Sequence, residues 1–359
     1  MKKGKRIFSW HHWCGLIVGI FLLMMSITGS LLVFSDEIEG IYESNWTEVN
    51  NPSGAFSYDA SFSNIQKLYP GWEIRLYEQP HINEALVYDL RKGTAMKKIF
   101  VHPLNGSILH VSDKVQNQLH RHLLSLHYTL FAGTAGKIIV FFIGILFLVS
   151  LVTGIYIYRK AIVKVLLFRV RVNRKTGRSL NSSLHRIIGV WTLLFNLLIV
   201  ITGLFISGNI ALAALKKAAP AKANATGITS SIDKIKNEIN QQYPSFKIHL
   251  LRVSANSNTV QLSGNFEDDP VYYGKYYSRF YFDGANGQLQ KKEWLREQSA
   301  FKKWQSIVAP LHFGNYGGLL LKFLYCLFGL MPGLLSISGF IIWRKRNKSL
   351  NRMQHQLKF

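Results

Sequence analysis

Carboxylates are scarce in this chain and confined. Of its 359 residues only 19 are Asp or Glu, against 43 Lys or Arg. The acids occupy two windows alone, Asp36 to Asp113 and Asp233 to Glu297. Cysteine is nearly absent: Cys14 and Cys326 lie in apolar runs, one expected near the inner end of its run and the other nearer the outer end of its own, which argues against a disulfide. There is no Cys-x-x-Cys-His, so covalent haem attachment is excluded, and thiolate-held clusters lack ligands. A glycine-rich phosphate loop, a dinucleotide fingerprint and a His-Glu-x-x-His pair are all missing. Nucleotide or flavin chemistry would therefore need a separate partner.

What the chain does have is apolar sequence in long blocks. Hydrophobic residues make up 48% of it, gathered into four runs long enough to cross a bilayer, for which about 20 residues suffice. They are Trp13 to Phe34, Ile138 to Tyr158, Ile187 to Ser207 and Leu319 to Trp343. The basic residues flank these runs. Residues 1–12 carry four Lys/Arg, residues 159–186 carry nine and residues 344–359 carry six, with no acid in any of the three segments. The positive-inside rule then puts the N-terminus, the middle loop and the C-terminus in the cytoplasm, and both polar inserts outside. The net charge of +24 reads as an orientation signal, not as a nucleic-acid surface. The apolar-basic stretch Ala161 to Lys175 is expected to lie along the anionic cytoplasmic leaflet. A basic start before an apolar run also resembles a secretory signal, but this run exceeds the usual length and no small-x-small site follows it closely, so the first helix is expected to be retained.

Histidines recur at fixed offsets from small-residue pairs. His11 precedes Thr28-Gly29 by 17 positions and His185 precedes Thr202-Gly203 by 17; His127 precedes Thr153-Gly154 by 26 and His312 precedes Ser338-Gly339 by 26. The chain thus reads as two copies of one unit. The expected organisation is an N-terminus and first span (1–35), a first insert (36–137), a span (138–158), a basic loop (159–186), a span (187–207), a second insert (208–318), a span (319–343) and a basic tail (344–359). The fold class is a four-helix membrane bundle with internal duplication, carrying two external α+β domains side by side.

Each insert has a helix followed by strands. In the first, Asp59 to Tyr69 reads as helix, then Trp72 to Glu78, Ala85 to Leu90 and Lys98 to His102 as strands, and Pro103-Leu104-Asn105-Gly106 as a turn before Ser107 to Val111. In the second, Ile232 to Tyr243 is helix, and Lys247 to Ser254, Thr259 to Gly264 and Tyr276 to Phe282 are strands, followed by a turn at Asp283 to Gly287. The order, with Val101-His-Pro-Leu-Asn-Gly-Ser-Ile-Leu109, resembles a PepSY domain. His185-Arg-x-x-Gly189, Leu126-His-Tyr-Thr-Leu130 with Gly136-Lys137, and the Thr-Gly pairs followed by Tyr158-Arg-Lys160 or Trp343-Arg-Lys345 resemble the PepSY-associated transmembrane family. That family includes iron-regulated inner-membrane proteins and ferric-siderophore reductases of the FoxB and PiuB type.

Neutral imidazole is a strong axial ligand for haem iron, and facing helices can each supply one. His11 and His185 open helices at the inner face, and His127 and His312 precede helices at the outer face. Two non-covalent b-type haems are therefore expected, one per pair. Neighbouring His12, His120 and His122 are alternative ligands, although Gly15 and Gly189, each four residues after its histidine, favour His11. Gly29, Gly154, Gly203 and Gly339 would give a macrocycle room, or simply let helices pack closely. Arg159 and Arg344 are candidates for the haem carboxylates. His81 and His102 are weak candidates for an external metal site.

The resemblance implies an electron-transfer oxidoreductase of the bacterial inner membrane that reduces siderophore-bound ferric iron on the periplasmic side for iron uptake. Its electron donor would be a quinol or a cytoplasmic reductase. Trp72, Tyr272, Tyr273, Tyr276 and Tyr277 are candidate siderophore contacts. The competing expectation is a membrane-anchored PepSY module that binds or regulates a peptidase and has no redox cofactor. A transporter is disfavoured, since the spans hold no acid.

Overall fold

The computed structural model describes residues 2–49, 57–77, 84–93, 95–113, 115, 118–216, 227–254 and 257–356. Glu78 and His81 lie outside them. In chain order the helices are α1 (Lys2–Leu32), α2 (Ser35–Thr47), α3 (Tyr58–Leu68), α4 (Leu119–Thr129), α5 (Gly133–Tyr158), α6 (Ile162–Leu166), α7 (Gly177–Trp191), α8 (Leu193–Leu215), α9 (Ile232–Gln242), α10 (Ala300–Phe313), α11 (Leu319–Gly329) and α12 (Met331–Gln356). The strands are β1 (Glu73–Tyr77), β2 (Leu86–Lys92), β3 (Ala95–Val101), β4 (Ile108–Ser112), β5 (Phe246–Val253), β6 (Thr259–Phe266), β7 (Ser278–Asp283) and β8 (Leu289–Glu293). The chain divides into two compact units. One holds residues 1–35, 123–217 and 308–359, the other residues 36–122 and 218–307.

The first unit is helical. Four spans of 23 to 29 residues, Gly4–Leu32, Gly133–Tyr158, Leu193–Leu215 and Leu319–Arg346, are long and apolar enough to cross a membrane. Helix α1 packs against α5 and α12, α5 against α8, and α12 against α7. Phe147, Leu151 and Val200 form a buried seam, with Leu22 and Leu197 against it.

Two spans are broken where the sequence suggested continuous helices. The third run starts in α7, stops at Thr192 and resumes as α8, so its membrane-length portion begins at Leu193 and reaches Leu215. Thr192 Oγ1 donates to the Ile188 carbonyl at 2.8 Å, and Asn196 Nδ2 donates to Thr192 Oγ1 at 3.0 Å. Such back-bonding competes with the helix ladder and marks the break. The fourth run is interrupted at Leu330. Pro332, the second residue of α12, cannot donate to the preceding turn.

The second unit is built on one antiparallel sheet of order β4-β3-β2-β1-β5-β6-β7-β8. The two inserts, read from sequence as separate modules, are joined in it by β1 and β5, with Ile74 opposite Val253 and Leu76 opposite Leu251. Helices α3 and α9 pack together, and Phe62, Ile65, Ile232 and Ile235 enter one core with Tyr88, Leu90, Leu262 and Phe280. Strand β8 escaped the sequence reading because Leu-Gln-Lys-Lys-Glu is polar and exposed, as suits a sheet edge.

The two helices cap each other. Asp59 accepts from the Ile232 amide at 2.5 Å and from the Asp233 amide at 3.3 Å, while Asp233 accepts from the amides of Tyr58 at 3.0 Å and Asp59 at 3.2 Å. Each carboxylate thus satisfies the orphan donors and positive dipole end of the other helix. Replacing either by alanine removes charge-assisted bonds and is expected to destabilise this unit by about 2 kcal/mol, read as a lowered denaturation midpoint. An unchanged midpoint would show that water replaces the caps at no cost.

A buried ion cluster lies in the same unit. Lys98 pairs with Glu43, with Glu39 at 2.7 Å and with Asp89 at 3.9 Å, and His120 stands 3.7 Å from Glu39. Burial pushes both glutamates up; at Glu39 the adjacent lysine outweighs it and holds the carboxyl below its ordinary range, whereas Glu43 stays raised.

Candidate bis-histidine centres in the helical unit

Each of the four histidines meets a small-residue pair on a different helix. His127 Nδ1 lies 3.0 Å from Thr28 Oγ1, His312 Nδ1 lies 2.9 Å from Thr202 Oγ1, and His185 Nδ1 lies 2.8 Å from Ser338 Oγ. His11 Nδ1 lies 2.9 Å from the Ser150 carbonyl oxygen and 3.3 Å from Thr153 Oγ1. The pairs are exchanged relative to the chain: the pair that follows His11 in α1 serves His127, and the pair that follows His127 in α5 serves His11.

The donors can be assigned from the partners. Thr28 Oγ1 donates its hydrogen to the Met24 carbonyl, Thr202 Oγ1 to Leu198, Thr153 Oγ1 to Val149 and Ser338 Oγ to Leu335. A hydroxyl whose hydrogen is spent can only accept, as can the Ser150 carbonyl. All four imidazoles therefore donate from Nδ1, leaving the Nε2 lone pair unprotonated. A metal-ligating histidine has this tautomer, its other nitrogen held by an acceptor of the protein.

The glycines explain how the rings come so close. A Cβ on Gly29 would stand 2.9 Å from His127 Cε1, one on Gly203 3.1 Å from His312 Cε1, one on Gly154 3.2 Å from His11 Cε1, and one on Gly339 3.6 Å from His185 Cε1. The space at each glycine is occupied by an imidazole edge. From the sequence these glycines are expected to give a macrocycle room or to let helices pack closely. The signal available was the residue before each glycine, since Ser and Thr in a helix commonly bond back one turn and present a bare oxygen.

Tight turns follow α4 and α10, the helices that carry His127 and His312. Leu130 and Phe131 follow α4 with φ of 51° and 57°, and Gly314 follows α10 at 76°. Left-handed backbone at two successive non-glycine residues is costly, and Phe131 is itself exposed. Here the chain reverses sharply, with Gly136 against the Thr129 carbonyl.

His11 and His185 stand together. Their ring centroids are 6.2 Å apart and their planes nearly perpendicular, at 84°. Two imidazoles bonded to one ion at about 2.0–2.1 Å each would have centroids about 6 Å apart. Both line a cavity of about 350 Å³ walled by α1, α5, α7 and α12. His127 and His312 are also near one another, close enough for a charge on one to disfavour a charge on the other. Burial pushes His127 and His185 down to about 4 and His312 down to about 3. In each, burial favours the neutral ring, the state a metal requires.

The remaining candidates fall elsewhere. His12 lines the same cavity, between Phe8 and Trp13, with ring centroids 6.4 and 5.6 Å away. His120 belongs to the ion cluster beside Glu39, and His122 is exposed. Arg159 donates to the Tyr156 carbonyl and covers the Tyr156 ring, and Arg344 is exposed; neither lines the cavity. The guanidinium groups that do are Arg178, Arg186 and Arg346. His102 Nδ1 accepts from the Leu104 amide in its own turn. Among the aromatics, Tyr272 is exposed, Tyr276 meets Tyr77 and His249 edge to face, Tyr277 donates to the Gln305 carbonyl, and Trp72 packs against the sheet core.

These features define a multi-pass membrane protein with paired, acceptor-locked histidines in its helical unit. Residues 8–346 match the PepSY-associated TM region, and the chain belongs to that family. No curated protein matches it.

Proposed function

We propose that this protein is a di-haem b electron-transfer protein of the bacterial inner membrane, built from two copies of one unit, that reduces siderophore-bound ferric iron on the periplasmic side. The observation that carries the reading is the set of four imidazoles, each held by Nδ1 with Nε2 free. Among the described residues no group of three or more His, Cys, Asp or Glu could hold a bare metal ion. A two-imidazole site therefore suits a metal that brings its other ligands in a macrocycle, and the apolar walls of the cavity suit one that is flat and hydrophobic.

A haem supplies one-electron chemistry at iron. The protein's own part is to hold each ring neutral and correctly turned, to keep water from the apolar cavity, and to orient the bundle through its basic termini and middle loop. One electron delivered to the ferric chelate yields Fe(II), which hard oxygen ligands hold far less well than Fe(III), so the metal is released. The electron donor is a quinol or a cytoplasmic reductase.

The test is a reduced-minus-oxidised spectrum with a pyridine haemochrome count on protein purified after haem-replete expression. Two b-type haems per chain are expected, oxidised on addition of a ferric siderophore with Fe(II) appearing in a chelator trap. A colourless protein would overturn the reading and leave a membrane-anchored binding module.

A further inference from the structure

The helical unit contains no Asp or Glu at all: residues 1–35, 123–217 and 308–359 lack both. Three arginines nevertheless line its cavity, and no carboxylate side chain of the unit can pair with them. Arg178 lies two turns before His185 on α7, with Ser182 between them on the same lined face. Arg346 lies seven residues after Gly339, the residue against His185, on α12. At about 1.5 Å per residue both therefore sit about 10 Å along their helices from the level of the imidazole, toward the same end of the cavity. Arg186 Nε donates to the Ser182 carbonyl at 3.0 Å and its guanidinium stands over Tyr158 at 5.6 Å, while that of Arg346 stands over Phe8 at 5.6 Å. These contacts hold the Arg186 and Arg346 guanidinium groups at the cavity without neutralising their charge, and Arg178 and Arg346 are open to solvent at this end. The opposite end, at Leu22, Phe147, Leu193 and Pro332, is apolar.

We propose that Arg178, Arg186 and Arg346 form the anion-binding end of this cavity and hold the two carboxylates of the tetrapyrrole whose metal is taken by His11 and His185. The assignment rests on the haem reading above. It replaces Arg159 and Arg344, and it orients the ligand: carboxylate edge toward the arginines, apolar edge toward Leu22 and Pro332. Planar guanidinium is suited to carboxylate, and also to the phosphate of an anionic lipid, so the experiment has to separate the two.

The measurement is the rate at which haem leaves the purified protein for an excess of a haem-scavenging apo-globin. Wild type, Arg178→Gln, Arg346→Gln and the double variant are each loaded, after expression under haem limitation, with haem b or with its dimethyl ester. The phase belonging to this cavity is the one absent from His185→Ala. In that phase the double variant should lose haem b at least about tenfold faster than wild type, as loss of a charge-assisted bond implies. The ester should leave all four proteins at similar rates, because it has no charge to lose. Removal of positive charge should also lower the midpoint potential of this haem alone. Equal loss of haem b from all four proteins overturns the assignment while leaving the haem reading intact. Faster loss of haem b and ester alike overturns it too, as loosened structure. Arginine-dependent retention of phosphatidylglycerol with unchanged haem loss assigns the arginines to lipid instead. A wild type that takes up no haem defeats both readings.

Discussion

His185→Ala and His127→Ala are each expected to purify with half the wild-type haem, and a different half. His185 and His11 share one cavity, with rings 6.2 Å apart, so on the proposed di-haem reading removal of one imidazole would leave the other as the only protein ligand. His127 and His312 are tied to α1 and α8 through Thr28 and Thr202 and should be untouched by the change at His185. The haemochrome count should fall from two to one in each variant, with the residual spectra and midpoint potentials of the two variants complementary. The double variant should be colourless. Loss of both haems from either single variant would mean that the centres are not independent. Retention of two in His11→Ala would point to His12, which lines the same cavity.

A graded alanine series at the four glycines is the second large effect. Alanine is favoured over glycine in a helix by about 1 kcal/mol, so without other contacts each change should stabilise the fold. The opposing term is collision with an imidazole that is already held on its other side by a hydrogen bond. At Gly29 the new carbon would stand 2.9 Å from His127 Cε1, and at Gly339 3.6 Å from His185 Cε1. The first cannot be accommodated without moving the ring off Thr28, whereas the second is ordinary contact. Gly29→Ala should therefore lose the His127 haem almost completely and Gly203→Ala and Gly154→Ala should weaken their sites. Gly339→Ala should keep its haem, with an unchanged or raised melting temperature. The ordering is what matters: equal effects at all four positions would mean that the glycines serve helix packing and not the rings.

Much of the architecture is written locally. Uninterrupted apolar runs of about 20 residues have one low-energy solution in a bilayer, so the four spans are legible from composition. The strands of the inserts are legible for a similar reason: β7 alternates buried and half-buried residues from Ser278 to Asp283, a period that only a strand produces. Errors occur where the local signal is weak or contradicted. Tyr276 and Tyr277 have strand-like side chains but precede β7, and β8 lacks apolar residues altogether. The break at Thr192 depends on side-chain bonds to Ile188 and Asn196 within an otherwise apolar run.

For the site, the chain by itself determines which residues are available and at what level of the bundle. Helical rise sets the height of every histidine and of every Thr-Gly or Ser-Gly pair, and the restriction of Asp and Glu to two windows leaves the helical unit without a carboxylate. Tertiary structure alone decides the azimuth of each side chain and the identity of its neighbour. That His127 donates to Thr28, that the glycine beside it receives the ring, that Arg178, Arg186 and Arg346 line the cavity when Arg159 and Arg344 do not, and that β1 pairs with β5, are all facts about which helix or strand lies beside which. No local pattern encodes them, because the energy that selects them comes from contacts between residues far apart in the chain, 98 positions for Gly29 and His127 and 338 for Phe8 and Arg346.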